Sequence, residues 1–402
     1  MKPIFKHNFL LSFLLTIFFV ITSGHALQTI FPKLAWIVIS VGFFACFLLM
    51  YKIFNNPLGV KEIVALFLLF MTLFSGVFYF RGGVIFYLKF AACICCAYYI
   101  SFKLSFEVFV NCYLKFMTVT TIIAIAGYYL LNYTSVLSSL PVLVNINEVE
   151  YGIGVVFNYI VELPQRNCGM FWEPGIFATN ITIALVFEFL YKNDKVSWLR
   201  IVVLSWGIIT ANSSAGFVLL FSCFLLYIVN RGNVDISSPW GVMRIFIVLA
   251  AFVFVLNLEN ILMNTPLVEN PYIAKLFTEN IASSSRYNAV EHNLGIFFDF
   301  PIIGAGIAYT NQNMMYVADT SSFTYLMSVF GFLGIGYTIF WIYSLIKQKQ
   351  FNIPTRIVLL TIFVIILNKE PQHSLLLSWC LLFYFLDMNE QGCAERNFKS
   401  IC

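Results

Sequence analysis

Three arginines, Arg81, Arg166 and Arg286, offer the chain its best anion-binding chemistry. A guanidinium presents a fixed fork of donors that matches a planar or tetrahedral anion, whereas its commonplace role is a surface ion pair. Arg166 opens the run Arg166-Asn167-Cys168-Gly169-Met170-Phe171-Trp172-Glu173-Pro174-Gly175-Ile176-Phe177. Pro174 suits the first turn of a helix, and Glu173 just before it faces the positive end of the helix dipole. Phe171 and Trp172 fit either an interfacial aromatic belt or stacking on a sugar ring. Arg286 opens a second run, Arg286-Tyr287-Asn288-Ala289-Val290-Glu291-His292-Asn293, with Tyr287 and Glu291 as further ligand contacts. A carboxylate or imidazole is the expected proton acceptor, which leaves Glu173, Glu291, His292 and His373 as candidates among which the sequence does not choose. For each histidine the plainer alternative is a polar-face residue.

These residues need elements to hold them, and composition says which kind. Of 402 residues, 60% are hydrophobic and 10% charged, with a mean hydropathy of +0.87 and a net charge of +4. Soluble domains carry ~25% charged residues. A soluble enzyme, a nucleic-acid binder and a disordered scaffold are excluded, and an all-α polytopic integral membrane protein remains. A spanning helix takes ~20 apolar residues. Twelve spans are expected, at about 9–25, 32–51, 62–80, 84–102, 108–131, 174–191, 199–211, 214–230, 244–262, 322–345, 356–368 and 374–388. The polar turn Asn212-Ser213-Ser214-Ala215-Gly216 divides the seventh from the eighth, and Asn368-Lys369-Glu370-Pro371-Gln372-His373 divides the last two.

The positive-inside rule orients this stack. With both termini cytoplasmic, the outside holds only Lys33, Arg81, Lys89, Arg166, Lys275, Arg286 and Lys369 of the 23 Lys and Arg residues. The chain reads as one transmembrane domain over 1–402. Its two long segments, about 132–173 and 263–321, both lie on the outer face and carry short surface helices. An amphipathic helix is expected from Arg286 to Phe298, followed by a turn forced by Pro301, Gly304 and Gly306. The first span has the charge pattern of a signal peptide, but the charge bias works with it retained as a helix. Cys93, Cys95 and Cys96 lie inside an apolar run without a second ligand pair at metal spacing, so helix packing is their expected role. No cofactor or metal is expected.

The R-x-x-G-x-F-x-E-P-G run at Arg166–Gly175, the Asn-Ser-Ser-Ala-Gly hairpin and the R…D-x-P-x-x-G-x-G pattern from Arg286 to Gly306 resemble, in order and in position, the O-antigen polymerase (Wzy) and ligase superfamily. The resemblance covers most of residues 130–345. It implies a GT-C-like fold in a Gram-negative inner membrane. It also implies transfer of a growing glycan from undecaprenyl diphosphate to the non-reducing end of another lipid-linked oligosaccharide repeat, at the periplasmic face. A chain-length regulator is an implied partner, besides the bilayer. In that reaction Arg166 and Arg286 would grip the departing diphosphate, with Arg81 as a third member. Ligases of the superfamily resemble one another in a His-Asn pair before the helix that follows the second loop. Asp319-Thr320-Ser321-Ser322-Phe323 stands there instead, which favours polymerase over ligase.

Two other classes compete. A twelve-span flippase for lipid-linked oligosaccharide fits the helix count, but transporter sites lie near the bilayer midplane, and the notable charges here fall in outer loops. A purely structural subunit would tolerate alanine at all three outer arginines.

Overall fold

The computed structural model describes residues 9–31, 33, 35–55, 58–79, 83–145, 148–154, 156–191, 196–231, 285–312 and 318–399. The expected span at 244–262 and Arg81 lie outside these residues. In chain order the helices are α1 (Phe9–Ile21), α2 (Ala26–Ile30), α3 (Ala35–Asn55), α4 (Val60–Phe78), α5 (Val84–Lys103), α6 (Phe106–Tyr133), α7 (Pro174–Tyr191), α8 (Trp198–Ala211), α9 (Ser214–Arg231), α10 (Ser285–Asp299), α11 (Gly306–Asn311), α12 (Ser322–Phe330), α13 (Phe332–Ile346), α14 (Ile353–Lys369) and α15 (Leu376–Lys399). Four of them, α4 to α7, are long and apolar enough to cross a membrane, and α8, α9, α13 and the first half of α15 are shorter apolar helices. The protein is mostly helical and has the character of a multi-pass membrane protein.

Its surface chemistry agrees with that character. Phe47 of α3, Val77 of α4 and Leu199 of α8 are each more than 70% exposed, an arrangement that is costly in water and suits lipid. Hydroxyls inside the helices bond to their own backbone: Thr16 to the Ser12 carbonyl, Thr72 to Leu68, Thr182 to Ala178 and Ser222 to Val218. Without water in the bilayer, polar groups must be satisfied within the helix in this way. The centre of the bundle is α7, whose residues are buried all the way from Pro174 to Leu190. It packs on α6, α8 and α9. Cys93, Cys95 and Cys96 are buried in the packing of α5, which lies against α3, α4 and α15.

Contacts sort the charged residues toward the helix ends. Lys61 pairs with Asp387, Tyr98 donates to Glu62 at 2.5 Å, and Arg200 pairs with Glu188, which also accepts from the Ser197 amide at 2.6 Å. Other ends meet through Tyr79 and Gly304, Lys369 and Ser213, and Ser23 and Leu377.

The hydrophobic pattern marks most helix limits well. The run from Arg200 to Asn230 does break at the polar turn: Asn212 caps α8 in the left-handed conformation, and α9 starts at Ser214. Two expectations need correction. The first long segment is not only surface helix. It folds a three-stranded antiparallel sheet, β1 (Val142–Val144), β2 (Glu150–Ile153) and β3 (Asn158–Ile160), in the order β1-β2-β3 with Tyr151 opposite both Leu143 and Ile160. Its β-branched and aromatic residues supply strand preference, and Tyr151 and Ile160 gain a buried apolar face against Ala26 of α2 and Cys168. The second correction is that 322–345 is two helices, broken at Gly331, where φ is +62°.

The cause of that break is the turn after α10. The Phe332 amide donates to the Pro301 carbonyl at 2.7 Å, and the Ala305 amide to the Ser328 carbonyl at 2.8 Å. Tyr79 at the end of α4 donates to the Gly304 carbonyl, and Tyr87 of α5 accepts from the Ile307 amide at 3.2 Å. The Pro-x-x-Gly-x-Gly segment is thus a plug seated between α12, α13 and the facing ends of α4 and α5. The expected amphipathic helix from Arg286 to Phe298 is present as α10, with Ala289, Asn293, Ile296 and Phe297 buried.

Candidate active site

Three stretches of chain converge on one cavity of about 210 Å³. The first long segment supplies Ile160, Leu163, Arg166 and Glu173 and runs on into α7, whose start supplies Pro174 and Gly175; the α8–α9 turn supplies Ser213; and the end of α14 leads to Glu370.

Arg166 is held by its neighbour. Asn167 is 1% exposed and donates its side-chain amide to the Ala124 carbonyl of α6 and to Thr210 Oγ1 of α8, at 3.1 and 3.0 Å. Its backbone amide donates to the Thr210 carbonyl, and its side-chain oxygen accepts from Gly169. One buried amide therefore ties the loop to two helices and leaves Arg166 beside the cavity. Behind it the Cys168 thiol is buried, and burial pushes it up to about 12, so it is held as a thiol.

Glu173 immediately precedes α7, where its carbonyl accepts from the Phe177 amide at 3.2 Å, and its side chain is exposed. Pro174 is the first helical residue, as expected. The first turn of α7 brings the positive end of an 18-residue helix to the cavity wall, where an anion is favoured.

Against the first turn of α7 lies the segment Lys369–His373, of which Glu370 reaches the cavity. Lys369 is 3% exposed and donates to the Gly175 carbonyl and to Ser213 Oγ at 3.3 and 3.0 Å. Glu370, also 3% exposed, lies so close to α7 that a β-carbon on Gly175 would stand 2.0 Å from its Oε1. Its carbonyl accepts from Ser322 Oγ of α12. Asp319, half-buried in the short 3-10 turn Ala318–Thr320, has its carboxyl raised to about 6, first by burial and then by the charge of Glu370, with Lys89 acting the other way.

The other candidate residues lie elsewhere. Trp172 packs at the edge of the core between the sheet and the α1–α2 turn, with its amide donating to the Gly24 carbonyl and its carbonyl accepting from Tyr151. Phe171 is fully buried, which removes it from any stacking surface. On α10, Glu291 is exposed, and His292 Nε2 donates to the Thr310 carbonyl of α11 at 3.0 Å. Arg286 and Tyr287 fall in the first turn of α10. A chain of side-chain bonds, Asn293 to Thr324 to Ser321 to Asn368, joins α10 to the residue before Lys369.

His373 is buried beside the cavity segment but does not line the cavity. Its ring stacks on Tyr325 at 4.8 Å and lies near Phe86 and Phe90, and Nδ1 bonds to Ser322 Oγ at 3.1 Å. Ser322 already gives its proton to the Glu370 carbonyl, so Nδ1 is the protonated nitrogen and Nε2 is a bare lone pair in an apolar setting. Burial, with Lys89 nearby, lowers this imidazole to about 3 from the ordinary 6.5. The stability consequence has a definite sign. Between pH 6.5 and 3 the unfolded chain binds a proton that the folded ring refuses, so folding stability falls as the pH drops through that window. Thermal unfolding of the detergent-solubilised protein between pH 7 and 4.5 should show that loss, and His373→Gln should flatten the profile.

The sequence gives Ser213, Lys369 and Glu370 only places in polar turns, and Asn167 only a place in the run after Arg166. Two ionisable residues closing an apolar helix are the signal that would have found the Lys369-Glu370 pair. No protein-family model and no curated protein matches this chain.

Proposed function

We propose that the chain is a membrane-embedded glycosyltransferase that polymerises undecaprenyl-diphosphate-linked oligosaccharide repeats at the periplasmic face of a Gram-negative inner membrane. The observation that carries this reading is one cavity faced by Arg166, by the amino end of α7 and by two carboxylates, Glu173 and Glu370. Cleaving a sugar from a lipid diphosphate builds negative charge on phosphate oxygen, and preorganised positive groups at that oxygen lower the barrier. Transfer to a sugar hydroxyl needs a proton acceptor within hydrogen-bond reach of that hydroxyl. The cavity offers both kinds of group, and the segment that supplies Arg166 and Glu173 is one of the three that carry the family resemblance. The site sits where helices end and loops begin rather than midway along spans, which favours transfer chemistry over a transporter.

Deleting the chain from its host should leave surface glycan one repeat long and should accumulate single lipid-linked repeats in the outer leaflet. Accumulation in the inner leaflet would indicate a flippase, and loss of all attached glycan a ligase. Either result would overturn the proposal.

A further inference from the structure

We infer that Glu370 is the proton acceptor for the attacking sugar hydroxyl, an assignment that rests on reading the chain as a glycan polymerase. Two carboxylates line the cavity, and their settings differ. Glu173 is exposed ahead of α7, where water solvates it and the helix dipole steadies its charge. Glu370 is buried against Gly175 in the first turn of α7, where a carboxylate has lost most of its water.

The surroundings are shaped around Glu370. The Gly175 backbone leaves free the one position that any side chain would fill at 2.0 Å from Oε1. The segment bearing Glu370 is fixed from three directions: Lys369 bonds to Gly175 and Ser213, Ser322 bonds to the Glu370 carbonyl, and the Gln372 amide turns back onto that same carbonyl at 2.6 Å. A carboxylate held this firmly in a cavity that Arg166 also lines is placed to act on a substrate bound there.

The step balances without a co-reactant. The acceptor O–H bond breaks, and its proton passes to the Glu370 carboxylate. The freed oxygen pair forms the new bond to C1 of the donor glycan. The C1–O bond to phosphate breaks, and its electrons leave on undecaprenyl diphosphate, whose charge Arg166 neutralises. Glu370 then loses its proton to water before the next turnover.

The test uses the full-length protein in proteoliposomes, with lipid-linked repeats extracted from cells that lack the chain. If the wild-type protein does not extend them, the polymerase reading itself fails. If it does, Glu370→Gln should lower the rate by ~10²–10⁴, the range of a general base. Binding of undecaprenyl diphosphate alone should be retained. Glu370→Ala should regain rate when formate is added, since a small carboxylate can take the vacated place, and Gly175→Ala should be slow because its methyl group displaces Oε1. With wild type active, an unchanged rate in Glu370→Gln overturns the assignment. So does a Glu370→Ala variant that binds undecaprenyl diphosphate normally and gains nothing from formate, because a merely positioning residue would behave in that way.

Discussion

Arg166→Ala should lower the rate of glycan extension by ~10²–10³, the usual consequence of removing one preorganised donor from a site of developing negative charge. Its protein level and melting temperature should stay close to wild type. The two effects separate because Asn167 anchors the loop: its four hydrogen bonds reach α6, α8 and Gly169, while the backbone amide of Arg166 bonds locally to Leu163. Arg166→Lys keeps the charge and loses the planar fork, so it should also be impaired. The length distribution of surface glycan on a gel, in cells expressing each variant as the only copy, reads the result. Normal-length glycan from Arg166→Ala would remove the diphosphate-gripping role and with it the observation on which the proposed function stands. Arg286→Ala is expected to be defective on the same gel.

How much of this site the sequence displays depends on how local each feature is. Pro174 at the start of α7 and the turn at Asn212-Ser213 follow from residue chemistry within a few positions, and both are legible. The same holds for the amphipathic α10. The sheet over residues 142–160 is not legible, because its three strands are only three or four residues long and their apolar face exists only against α2 and Cys168. Glu370 is the sharpest case. Locally, only its pairing with Lys369 at the end of an apolar helix marks it as more than a charge in a short connection. Its place depends on Gly175, nearly two hundred positions away, having no side chain. The histidines show the reverse. Their residue type drew attention, yet His292 is occupied by the Thr310 carbonyl and His373 is packed against aromatic rings.

The plug between the second long segment and the bundle predicts the largest stability effect. In Gly304→Ala the new methyl carbon would stand 2.3 Å from the Val329 carbonyl oxygen and 2.5 Å from the Phe330 nitrogen, at a residue whose φ is +73°. Both neighbours are backbone, so no side chain can rotate away. Left-handed backbone costs a non-glycine residue ~1–2 kcal/mol, and forcing an extra methyl into close packing adds ~1–3 kcal/mol. Together these come to roughly 2–5 kcal/mol, a large share of the ~5–15 kcal/mol that holds most domains folded. The damage should spread, because the same turn carries the Phe332–Pro301 and Tyr79–Gly304 bonds that set the α12–α13 break and join the plug to α4. Gly295, on the exposed side of α10, is the matched control: a β-carbon there meets nothing within 4 Å. Gly295→Ala should be neutral or slightly stabilising, since alanine favours helix by ~1 kcal/mol over glycine. Melting curves of the two variants in detergent decide the matter. If Gly304→Ala unfolds at the wild-type temperature, the turn is not a packed plug, and the break between α12 and α13 needs another cause.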